Sequence, residues 1–130
     1  MKAKDLMIGD LINGFGVVRR VTSINGLERP EDDGLLTTMV PGCEFPESNL
    51  SFRPCYAQPI PLTGEILEKN GFKYNDLPMF QYFEQWGLQL YRGGNGFRIN
   101  CGINVSLIID SVHQLQQVIK LCGIEKEITI

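Results

Sequence analysis

His113 is the only histidine of the chain, and it follows Asp110 and Ser111 closely. An imidazole within reach of a carboxylate is the usual apparatus of general acid–base chemistry, and Asp110 is the one acid near it in sequence. That stretch offers neither nucleophile nor orienting group, so His113 reads equally well as a surface residue in the first turn of a helix. The four cysteines, Cys43, Cys55, Cys101 and Cys122, include no Cys-x-x-Cys pair, and their spacing lacks the close ligand pairs of a structural zinc site. Cys101 and Cys122 fall at apolar positions and read as small core residues, whereas Cys43 and Cys55 flank proline-rich turns. Free thiols are expected, as in a reducing compartment. The acidic stretch Glu28, Glu31, Asp32, Asp33 lacks the ligand alternation of a calcium loop and reads as a solvated loop. Gly93-Gly94-Asn95-Gly96 has no Gly-Lys-Ser/Thr and no strand-to-helix setting, so it reads as a hairpin turn rather than a phosphate cradle. No cofactor, metal or catalytic set is expected.

Two features point to binding. Arg19 and Arg20, with Lys2 and Lys4, and Arg92 and Arg98 beside Tyr91 and Phe97, have the chemistry of a surface that holds single-stranded nucleic acid by phosphate contacts and base stacking. The competing reading is scattered surface charge. The alternating tail Glu127, Ile128, Thr129, Ile130 reads as a short final strand, able to pair with the sheet edge of another chain or with its own sheet.

The elements that must position these residues follow from pattern. β structure is expected from Asp5 to Ile12, and, after a Gly-rich turn at 13–16, through Val17, Val18, Val21 and Ile24. Asn25-Gly26 is a two-residue hairpin signal, with the return strand interrupted by the acidic loop and resumed over Leu35 to Val40 before a turn at Pro41-Gly42. Prolines 46, 54, 59 and 61 keep the next segment extended, with a short edge strand at Leu50 to Phe52. Thr63 as N-cap and Gly71 as the left-handed C′ residue bracket a helix over Gly64 to Asn70, with Phe72 folding back on Leu67. Strands are expected over Phe80 to Gln85, Leu88 to Tyr91, Phe97 to Cys101 and Ile103 to Ile109, forming an antiparallel meander. Ser111 and Gln114 form a capping box that opens an amphipathic helix with Val112, Leu115, Val118, Ile119 and Cys122 on its apolar face, ended by Gly123.

At 130 residues, 43% hydrophobic and 21% charged, the chain has the composition of a folded domain. A net charge of −3 and a pI near 5.1 disfavour wholesale wrapping of nucleic acid or an anionic membrane. No secretion signal or membrane span is expected, so the setting is read as cytoplasmic. The fold class is α+β over one domain, 1–130, divisible into a small twisted β unit at 1–58, open to a barrel-like closure, and an α+β unit at 59–130.

Three segments carry a resemblance: Asp5-Leu6-Met7-Ile8-Gly9-Asp10; Pro59-Ile60-Pro61-Leu62-Thr63 leading to Glu68-Lys69-Asn70-Gly71-Phe72; and Val112-His113-Gln114-Leu115-Gln116 with Ile124-Glu125-Lys126-Glu127-Ile128. In that order they resemble a family of uncharacterised small proteins of Bacteroides-type gut bacteria and their prophages or mobile elements. The resemblance implies a bacterial, mobile-element setting and no catalytic residue. The leading functional expectation is a non-enzymatic interaction or accessory module acting through a protein partner or self-association. The alternative is sequence-independent nucleic-acid binding, and an enzyme built on His113 comes third.

Overall fold

A computed structural model describes residues 1–25, 34–42, 49–93, 96–100 and 106–130. The acidic loop, Cys43, Cys101 and the centre of the 93–96 turn lie outside the described residues. The chain forms two compact units, Met1–Ile60 and Pro61–Ile130. It is a mostly β protein of the α+β class, with a curled half-barrel in the first unit and a meander with two helices in the second.

The first unit is a five-stranded antiparallel sheet in the order β4-β3-β2-β1-β5, made of β1 (Leu11–Gly14), β2 (Val17–Asn25), β3 (Leu35–Met39), β4 (Leu50–Phe52) and β5 (Ala57–Gln58). Its core side gathers Leu6, Ile12, Val21, Leu36, Phe52 and Ala57. The chain begins with a 3₁₀ turn, Ala3–Asp5, and of the β structure expected from Asp5 to Ile12 only Leu11 and Ile12 are strand. Asp10, fully buried, explains the difference: its carboxylate accepts from the Met7 N–H at 2.8 Å, which folds residues 7–10 into a turn before β1 starts. The turn expected at 13–16 narrows to Phe15 and Gly16, both at positive φ, because Gly14 is already paired with Val17. Asn25 pairs with Leu35 at the start of β3, and the turn expected at Asn25-Gly26 with the beginning of its return strand lies outside the described residues.

In the second unit α1 (Gly64–Lys69) starts where expected and stops one residue short of the expected Asn70, which is its C-cap. The Thr63 hydroxyl accepts from the Ile66 N–H at 3.3 Å, Gly71 takes φ +87°, and the Phe72 N–H reaches the Leu67 carbonyl at 3.0 Å. These bonds satisfy the donors and acceptors that a two-turn helix leaves open. The second helix, α2 (Val112–Leu121), ends in the same way at Gly123, with the Ile124 N–H on the Ile119 carbonyl at 3.1 Å. Its start differs from a capping box. Ser111 is held by a bridge to Pro61, its hydroxyl has no hydrogen-bond partner among the described residues, and the Gln114 side chain accepts instead from the Asp110 N–H at 2.9 Å. His113 and Gln116 are buried along with the apolar stripe, so α2 is covered over a broader arc than its periodicity suggested. Cys122 is exposed, correcting its assignment to the core, because it forms the C-cap one turn beyond the last buried residue, Ile119.

The sheet of this unit is a meander in the order β10-β9-β8-β7-β6: β6 (Lys73–Asp76), β7 (Gln81–Gln85), β8 (Leu88–Gly93), β9 (Gly96–Asn100) and β10 (Ser106–Ile109). β6 had no counterpart in the sequence reading, since Lys-Tyr-Asn-Asp carries one apolar side chain and gives no alternation. Phe83, Leu88, Leu90, Phe97, Ile99 and Ile109 share the buried face. The tail contains no strand, which corrects the one expected at Glu127 to Ile130. The Asn70 amide donates to the Thr129 carbonyl and accepts from its N–H, both at 2.7 Å, taking the bonds a neighbouring strand would make, and Ile128 is buried.

A Cβ on Gly96 would stand 2.4 Å from the Ile109 carbonyl oxygen, so a side chain there must push β10 off the sheet, whereas a Cβ on Gly93 meets nothing within 4 Å. Gly96→Ala is expected to cost about 1–3 kcal/mol or more by overpacking, and Gly93→Ala well under about 1 kcal/mol, as read by urea denaturation. Equal midpoints for the two variants would contradict this geometry.

Candidate functional site

The residues expected to form a basic and aromatic surface are divided by the pleat, since neighbouring residues of a strand point to opposite faces. Arg19 shares the core face of the half-barrel with its cross-strand partner Ile12, and its Cδ lies 3.1 Å from the place of a Cβ on Gly14. Arg20, beside Leu11, points the other way. In the meander Arg92 pairs with Phe97 on the helix-bearing face, where Phe97 is buried. Tyr91 pairs with Arg98 on the open face. Through the ladder the open face carries one row across all five strands: Asn75, Tyr82, Tyr91, Arg98 and Ile108. Tyr82 and Tyr91 lie 5.3 Å apart, and the Tyr91 hydroxyl donates to Gln89 at 2.9 Å. His113 is buried and Ile128 is tucked in, so neither stands at an open surface.

On the opposite face, α1 and the outer half of the meander flank an open cleft of about 560 Å³, inside the size range of ligand sites. Thr63, Glu65 and Glu68 line the helix side, and Tyr74, Gln81, Phe83 and Arg92 line the sheet side. Gly64 makes room for its inner end: a Cβ there would meet the Phe83 ring at 3.2 Å and the Arg92 guanidinium at 3.3 Å. The rings of Tyr74 and Phe83, 5.0 Å apart, form an apolar wall. Neither glutamate forms an ion pair with Arg92 among the described residues. The cleft therefore offers one cation, two carboxylates and an aromatic surface.

No protein-family model, no curated protein and no solved structure matches the chain.

The hairpin that lines the cleft ends in an apolar tip. Leu77 and Phe80 exchange both backbone hydrogen bonds, at 2.9 and 3.2 Å, around Pro78 and Met79. Proline suits the first central position of such a turn. Leu77, Met79 and Phe80 are 50%, 84% and 57% exposed. The sequence held a signal for this: four apolar residues in a row, one of them proline, where a turn between strands is normally polar. A smaller aromatic ledge lies in the first unit, where exposed Phe15 stacks on exposed Tyr56 with ring centres 5.7 Å apart, next to a hollow of about 280 Å³ that Cys55 also lines.

Cys55 and Cys122 are both exposed. Cys55→Ser and Cys122→Ser should each remove one rapidly reacting thiol from the native protein, as titrated with a chromogenic aryl disulfide. An unchanged count in either variant would contradict the placement of that cysteine.

Proposed function

We propose that the chain is a non-enzymatic interaction module that works through protein contacts made by the β6–β7 hairpin. The observation that carries this reading is the apolar tip, Leu77-Pro78-Met79-Phe80. Contiguous large apolar side chains on a hydrogen-bonded turn are costly to leave in water and mark surfaces that dock. The tip belongs to a paired hairpin, so little ordering entropy opposes its docking. The same proposal places the protein in the bacterial cytoplasm, as an accessory of a mobile element or prophage. The three segments that resemble small proteins of Bacteroides-type bacteria support that setting, and Cys55 and Cys122, exposed and outside any disulfide, suit a reducing compartment.

A second reading, sequence-independent nucleic-acid binding, is favoured by the row Tyr82, Tyr91 and Arg98 on the open face, where two rings and a guanidinium lie side by side on a sheet. It ranks second because Arg92 and Phe97 lie on the other face of that sheet.

Replacing Leu77, Met79 and Phe80 together with Ser is expected to leave the unfolding midpoint nearly unchanged. It should abolish capture of protein partners from nuclease-treated lysate and any self-association seen by sedimentation. A variant that keeps every partner would contradict the reading. For the second reading, Arg98→Glu should weaken binding to oligo(dT) and lower the salt slope by about one; an unchanged slope would remove it.

A further inference from the structure

β6 is the outer strand of the meander, and its hydrogen-bond register determines which of its backbone groups face outward. Leu77 and Phe80 are a hydrogen-bonded pair. In an antiparallel ladder bonded and non-bonded pairs alternate, so Asn75–Tyr82 and Lys73–Glu84 are bonded pairs, whereas Asp76–Gln81 and Tyr74–Phe83 are not. The N–H and C=O groups of Tyr74 and Asp76 therefore point away from the sheet, and no described residue takes them. Their side chains lie on the face that carries the cleft, where Tyr74 forms part of the wall. An unpaired edge, a cleft beside it and an apolar tip at its end thus lie along one hairpin.

We propose that the edge of β6 takes an extended peptide segment of a protein partner as a sixth strand, pairing with the backbone of Tyr74 and Asp76. This inference rests on the protein-contact reading and names the partner's chemistry. Side chains of an added strand alternate between the two faces, so the one opposite Tyr74 falls beside the cleft. Glu65 and Glu68, with Asp76 on the same face, outnumber Arg92, and this complementarity selects a basic side chain at that position. Toward the tip, Leu77, Met79 and Phe80 select an apolar one. Strand addition draws its affinity from main-chain bonds and its selectivity from such alternate pockets. A peptide with a glutamate opposite Tyr74 would set like charges against the helix wall.

The test uses the full chain and short, end-blocked Val/Thr-rich peptides with a Leu at one end and a central Lys, Leu or Glu, followed by amide-resolved NMR. The Lys peptide should bind, protect the Tyr74 and Asp76 amides from exchange, and exceed the Glu peptide by roughly tenfold in affinity. Asp76→Pro removes an outward N–H and no bond to β7, a change that edge strands tolerate. It should abolish binding, while Asp76→Ala keeps that N–H and, with Glu65 and Glu68 still in place, should bind the Lys peptide more weakly than the unaltered chain but measurably. Binding by none of the peptides, equal binding of the Lys and Glu peptides, or equal binding to the two Asp76 variants would overturn the proposal. If the proposal fails while the serine-substituted tip still loses its partners, protein contact stands and only the strand-addition mode falls; if the tip variant keeps them, the broader reading falls as well.

Discussion

Both helices of the second unit take their position from one short antiparallel contact, Pro61 against Ser111. Beside it the Leu62 N–H reaches the Asp110 carbonyl at 2.9 Å, and the Asp110 N–H is taken by the Gln114 side chain. α1 starts two residues after Leu62 and α2 starts one after Ser111, so a single bridge sets where two helices leave the sheet. The bridge in turn depends on β10, which lies where Gly96 has no side chain. Once α1 is placed, Thr63, Glu65 and Glu68 become one wall of the cleft. The buried Ser111 hydroxyl, left without a partner among the described residues, is a local cost of order 1–3 kcal/mol that this arrangement carries.

The pleat then sorts the remaining chemistry. Because side chains alternate with a period of two, one register puts Phe83, Leu90 and Ile99 inward and Tyr82, Tyr91 and Arg98 outward. A slip of one residue would exchange the two sets. Two hairpins that hold register have an aromatic residue in a position that favours glycine or asparagine: Phe15 at φ 54° and Trp86 at φ 53°, each followed by a glycine at positive φ. A bulky residue there costs roughly 1–2 kcal/mol, which ring contacts offset in part: Phe15 meets Phe52 and Tyr56, and Trp86 meets Phe72 at 5.5 Å.

Local signals were legible in the sequence wherever a bond is made between near neighbours. Thr63, Gly71 and Gly123 mark helix ends by residue type, and the meander strands β8 and β9 show period-two alternation. What was not legible depends on long-range partners. Lys73–Asp76 becomes a strand only because β7 is there to pair with it, and the tail is held by an Asn70 side chain 59 residues away. The burial of Asp10 in the turn at 7–10 likewise had no local signal. Of the binding residues, Tyr91 and Arg98 could be paired from spacing alone across a glycine turn. The cleft combines α1 with three strands, and no local pattern encodes that combination.

Half of the β6 backbone faces outward beside an apolar tip. Amide hydrogen exchange in the free protein tests it most directly. Exchange should be fast at Tyr74 and Asp76, alternating with slower exchange at Lys73, Asn75 and Leu77, whose N–H groups are bonded across the hairpin. Uniform protection along 73–77 would show that the edge is already occupied, and would contradict it.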